Sequence, residues 1–188
     1  MVAVIEALRE EHRNIARLLD ALERQIDIFA AAGAPDYDVV QGVCDYFLDY
    51  PDRCHHPKED AIARRLADAH PAEAAVAMDL IGEHRAVHER ALRFRQTVSE
   101  LLGETDIARD EVVEAARRFI EFERRHMRRE EETFLPLAER LLGPADWRAV
   151  ESELDRKRDP VFGERVEEKF RALSQRLLAW EAEDEQGR

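Results

Sequence analysis

Apolar residues recur at three-and-four spacing over long stretches of this chain, the period of one face of an α-helix. Five short breaks interrupt the pattern: AAGAPD (Ala31–Asp36), DAHPAE (Asp68–Glu73), GETD (Gly103–Asp106), GPAD (Gly143–Asp146) and RDP (Arg158–Pro160). Each contains Gly, Pro or Asp, residues that stop one helix or cap the next. The pattern predicts four long helices and a shorter two-helix tail. At about 30 residues each the long helices would measure ~45 Å, and short connections make sequential helices antiparallel neighbours. The expected architecture is all-α: an up-down-up-down four-helix bundle over residues 1–143 with a C-terminal two-helix extension over 144–188. In the extension Trp147, Val150, Leu154, Phe162, Phe170, Leu173, Leu177 and Trp180 fall at helical spacing. It is expected to pack on the bundle or to serve as a homodimer contact.

Composition sharpens this picture. With 45% apolar residues and only 7 Gly and 7 Pro among 188 positions, helix formers dominate. A net charge of -13 removes nucleic acid from the expected partners, because binding phosphate needs a cationic footprint. It weighs equally against an anionic membrane surface. No apolar run approaches the roughly 20 residues that span a bilayer, and the opening MVAVIEALREEH enters an amphipathic pattern with no cationic leader. A cytoplasmic setting is the expectation. Cys44 and Cys54 fit neither a disulfide framework nor the close thiolate pairs of a zinc ribbon, and read as reduced, packed residues.

The chemistry lies in polar members of otherwise apolar stripes, since residues three and four apart share a helix face. On the first helix the stripe is Ile5, Leu8, His12, Ile15, Leu19, Leu22 and Ile26. On the second it runs Leu48, Pro51, His55, Glu59, Ile62 and Leu66, whereas the stripe through His56 is Asp49, Asp52, His56, Asp60 and Ala63. His55 and Glu59 are therefore expected to face inward, and His56 and Asp60 to face water. On the third helix both His84 and His88 align with Ala77, Leu80, Ile81, Val87, Ala91 and Val98; on the fourth, His126 and Glu130 align with Phe119, Phe122, Phe134, Leu137 and Leu141. A weak internal repeat pairs REEHRNIARLLDALERQ with IGEHRAVHERALRFRQ, and CHHPKEDAIARRLAD with HMRREEETFLPLAER.

One inward imidazole is ordinarily a satisfied core histidine. Burying charge-capable groups without partners costs several kcal/mol each, so five such histidines and two carboxylates spread over four helices need a common reason, and metal coordination supplies it. Two divalent ions could share them, with bridging acids, terminal imidazoles and a position left open. Nitrogen and oxygen donors without thiolate suit iron, and also zinc or manganese.

The ordered motifs, His12, HHPKE (His55–Glu59), His84-x-x-x-His88 and HMRREE from His126, resemble the hemerythrin-like, or HHE cation-binding, family over about residues 5 to 142. The resemblance implies two non-haem iron ions held by His12, His55, His84, His88 and His126 and bridged by Glu59 and Glu130. It also implies a small diatomic or peroxide ligand (O2, NO or peroxide) that is sensed, stored or met under stress. A di-iron peroxidase or nitric oxide reductase, and a metal-free interaction bundle, are the rival readings; enzyme status is left open. Oxygen carriers of the family place the fourth-helix acid five residues after its histidine, here Glu131, while the stripe favours Glu130. Pro51 and Pro57 remove N–H donors inside the second helix, where a kink that aims His55 and Glu59 is expected. Glu123 reads as solvated or paired with an arginine, Tyr46, Phe47 and Tyr50 as core aromatics, and His70 as a surface residue.

Overall fold

The computed structural model describes residues 2–103, 107–154, 159–163 and 166–186. Among these residues the chain is all helical, with no strand. Helices α1 (Ala3–Ala30), α2 (Tyr37–Tyr50), α3 (His56–Ala69), α4 (Ala74–Leu102), α5 (Arg109–Arg129) and α6 (Leu135–Leu141) build the bundle, and α7 (Pro144–Glu153) and α8 (Arg171–Gln186) the extension. The arms pack in a ring of α1 against α5, α5 against α4, α4 against α2 and α3, and α2 against α1. This is the up-down-up-down arrangement that short connections dictate. The Asp36 side chain accepts from Val39 N–H and caps α2. Residues 104–106 of the third expected break and 155–158 at the fifth lie outside the described residues.

Two arms are each interrupted by one five-residue π-helical turn, Pro51–His55 between α2 and α3 and Glu130–Phe134 between α5 and α6. His56 N–H donates to Pro51 C=O, and Leu135 N–H to Glu130 C=O, closing the wider rings. The helix therefore neither breaks nor simply kinks at the prolines. It takes in an extra residue, a device frequent at functional sites. Each turn carries one residue of a His-x-x-x-Glu motif, the first ending at the histidine, His55, and the second starting at the glutamate, Glu130, and each is followed by a proline, Pro57 and Pro136.

The apolar core divides in two. One cluster contains Ile15 to Phe29 of α1, Val39 to Tyr50 of α2, Cys54, Ala91 to Val98 of α4 and Val112 to Met127 of α5. The other contains Val4 to Leu8, Ala61 to Leu66, Ala77 and Leu80, and Phe134 to Leu142, with Trp147 and Val150 from α7. Between them lies a layer of buried polar side chains displaced toward one end of the bundle, which brings His12, early in α1, to the level of residues midway along the other arms. Both cysteines are buried and neither forms a disulfide.

The extension packs along the second arm, α7 on α3 and α8 on α2. A Cβ at Gly42 would meet Leu173 at 3.3 Å, so the small residue lets α8 approach closely. Buried Asp159 fastens the intervening segment, its carboxylate accepting from Tyr46 O–H at 2.9 Å and from the N–H groups of Val161 and Phe162 at 2.8 and 2.9 Å. Tyr46→Phe leaves that carboxylate one donor short without changing side-chain volume appreciably. It is expected to cost about 1–3 kcal/mol of unfolding free energy, measured by urea denaturation.

Candidate metal centre

Five imidazoles and two carboxylates fill the polar layer, and one of the five differs from the expected set. His12, His55, His84 and His126 are buried, as are Glu59 and Glu130, each of which is 0% exposed. His56 is buried with them, its ring stacked on His84 at 4.1 Å between centroids. The expectation that His56 faces water is thus corrected, and the π turn is the reason. Counting by threes and fours holds for ~3.6 residues per turn, but the extra residue of the wider turn lets both adjacent histidines, His55 and His56, point inward. His88 moves the other way: its side chain is 38% exposed and pairs with Asp52 at the rim.

The donor atoms fall into two groups, one of His56, His84 and His126, the other of His12, His55, Glu59 and Glu130, each compact enough for its atoms to lie within 4.8 Å of one another. The carboxylates also reach across. Glu59 lies 3.6 Å from His12 Nε2, 3.4 Å from His55 Nε2 and 3.3 Å from His84 Nε2. Glu130 lies 3.3 Å from His12 Nε2, 3.4 Å from His84 Nε2 and 2.9 Å from His126 Nε2. His12 and His55 approach Nε2 to Nε2 at 3.1 Å.

Every one of the five rings turns Nδ1 outward to a carboxylate. His12 donates to Glu131 at 2.7 Å, His55 to Glu11 at 2.9 Å, His56 to Asp52 at 3.1 Å, His84 to Asp60 at 2.8 Å and His126 to Glu83 at 3.3 Å. These bonds orient each ring with Nε2 directed into the layer, the usual outer support of metal-bound histidine. Four of the acids follow a rule around the bundle: Glu11 beside His12 serves His55, Asp60 beside Glu59 serves His84, Glu83 beside His84 serves His126, and Glu131 beside Glu130 serves His12. Each arm hands a carboxylate to the histidine of the next. Asp60 is therefore not the solvated residue expected, and Glu131 supports the centre while Glu130 enters it. Sequence reasoning missed these acids, although each adjoins an inward residue.

The electrostatics of the bare layer are those of an ion pair network. Burial alone would depress His84 and His126, but the carboxylates around them outweigh it and push them up to about 11 and about 10. Burial and the charge of Glu130 would raise Glu59, yet the surrounding imidazoles hold it well below the carboxylate range; Glu130 is held low in the same way. His56 is pushed down to about 4 by burial and by the charges of His84 and His55. Even so, both oxygens of Glu59, Oε2 of Glu130 and Nε2 of His126 are buried with no hydrogen-bond partner. Buried polar atoms are almost always satisfied, and an acceptor set orphaned between inward-facing imidazole nitrogens, whose protons a metal would displace, fits cations. Glu123 is a second correction: it is buried, with Oε1 unpartnered, and burial first, then the charge of Glu130, push it up to about 8.

A family model, Hemerythrin HHE cation binding domain, matches residues 3–138. No curated protein and no solved structure matches the chain. No helix among the described residues is long and apolar enough to cross a membrane.

Proposed function

Because the chain belongs to the hemerythrin HHE cation-binding family, we propose that it is a non-haem di-iron protein that binds O2, NO or peroxide in sensing, storage or a stress response. The orphaned oxygens of Glu59 and Glu130 between two sets of Nε2 atoms carry the reading. His12 and His55 would hold one ion and His56, His84 and His126 the other, with Glu59 and Glu130 within reach of both groups. Iron held there would supply a position at which a small ligand binds. Glu11 and Glu131 accept from Nδ1 of His55 and His12 and keep the two rings oriented with Nε2 facing inward. The apolar clusters on either side keep bulk water from the layer. Iron is the ion this donor set is assigned, with zinc and manganese the others it would accept. Metal analysis of protein produced with iron, joined to visible absorption before and after O2 or azide, tests this. About two irons per chain with oxo-bridge charge-transfer bands is the expected result; one zinc, or no metal, overturns it.

A pH dependence follows. In the metal-free protein the raised pKa values of His84 and His126 contribute stability that is fully present below the unfolded value near ~6.5 and is lost as pH rises through about 10 and about 11. The depressed His56 acts oppositely, lowering stability as pH falls from that unfolded value toward about 4. Metal displaces the protons on His84 and His126, so its stabilising increment grows with pH across the same range. Thermal melts of chelator-treated and loaded protein from mildly acidic to strongly alkaline pH should diverge steadily, the metal-free form losing stability on the alkaline side.

A further inference from the structure

Resting on the two-ion reading, we propose that Asp52, His88 and Glu123 form the route by which divalent cations enter the buried centre, a transit site distinct from the ions' final positions. The five outer carboxylates are not alike. Glu131 is backed by Arg9, Glu11 by Lys58, Asp60 by Arg64 and Glu83 by Arg129, so an approaching cation meets a fixed positive charge at each. Asp52 is paired instead with the imidazole of His88, itself a ligand type. Asp52 is also the most open of the five, with a side chain 39% exposed. One of its oxygens accepts from His56 Nδ1 and the other faces His88. An ion captured there is one carboxylate away from the centre.

Behind this rim stands Glu123, buried, with Oε1 lacking any hydrogen-bond partner. Its carboxyl lies within electrostatic reach of Asp52, His126, Glu130 and Arg90. Arg90 packs over the Phe122 ring at 4.1 Å. A buried carboxyl with an unmade bond, within reach of both the half-exposed pair and the inner donors, offers an entering cation an intermediate ligand. It also explains His88, which shares the helix face of His84 yet stays at the surface.

The test is rapid mixing of metal-free full-length protein with Co2+, followed by the visible bands that appear on imidazole binding, and by metal analysis at equilibrium. His88→Ala, His88→Lys and Glu123→Gln are each expected to slow loading by tenfold or more while the final Co2+ content and spectrum match wild type. A thermal melt of each metal-free variant checks that the fold is intact. Loading rates unchanged in all three variants overturn the route. A lower final Co2+ content in His88→Ala also overturns it, because His88 would then be a permanent ligand. Wild type that takes up no Co2+ overturns the route and the two-ion centre together, whereas two ions taken up at unaltered rates by the variants spare the centre alone.

Discussion

Glu59→Gln is expected to reduce bound metal from about two ions per chain to one or fewer, with the metal-free bundle still folded but less stable than wild type. The side chain keeps its volume but loses the charge that faces three Nε2 atoms, at 3.3 to 3.6 Å, on both sides of the layer. Losing a bridge weakens both ions, so the effect exceeds that of any single imidazole. An ion present at a thousand times its dissociation constant stabilises the folded state by ~4 kcal/mol, which for a chain of this size is about 8–16 °C in Tm. Most of that increment should vanish in the variant. In the metal-free state the substitution removes a carboxylate that its imidazole partners hold low despite burial and Glu130, so the chelator-treated variant should melt below chelator-treated wild type and the metal effect is read as the increment between the two melts of each protein. Metal content with paired thermal melts, loaded and chelator-treated, reads both effects. Full metal content in Glu59→Gln would remove the bridging role.

Regular helix geometry made much of this arrangement legible from the chain alone. Where an arm keeps ~3.6 residues per turn, counting by threes and fours identifies the inward residue, as at His12 in α1 and His84 in α4. The polar layer occupies one level because the repeat gives α1 and α4 one pattern and the interrupted arms another. Counting fails where the backbone leaves that period. The wider turn at Pro51–His55 admits one more residue, and a sequence read at constant pitch sends His56 outward and cannot distinguish it from a solvated residue. His88 misleads for a different reason. It shares the helix face of His84, but the position nearest His84 is taken by the His56 ring, and Asp52 holds His88 at the rim. The outer carboxylates were written as adjacent pairs, Glu11-His12, Glu59-Asp60, Glu83-His84 and Glu130-Glu131. Their meaning depends on which arm neighbours which, since each acid serves a histidine on a different helix. Glu123 resembles its charged neighbours on α5, and only packing against α4 reveals that it is buried.

His56→Ala and His88→Ala should separate sharply, with His56→Ala the damaging one. His56 belongs to the group formed with His84 and His126, so its loss would leave an ion there two imidazoles and the carboxylates. The loss of one metal-bound imidazole should exceed the ~10–100-fold affinity penalty of losing an outer-shell partner. One ion per chain is the expected content of His56→Ala at metal concentrations that saturate wild type. The substitution also removes the ring stacked on His84, leaving a cavity and costing about 1–3 kcal/mol in the metal-free protein. That loss identifies a packing effect, because it appears with or without metal. His88→Ala removes a half-exposed ring that touches Asp52 alone among the groups around the centre, so two ions should remain at equilibrium. Competition with a chromophoric chelator measures the two affinities separately. A weaker second ion in His88→Ala together with an undisturbed one in His56→Ala would return the fifth ligand to α4 and require the arm to straighten when metal binds.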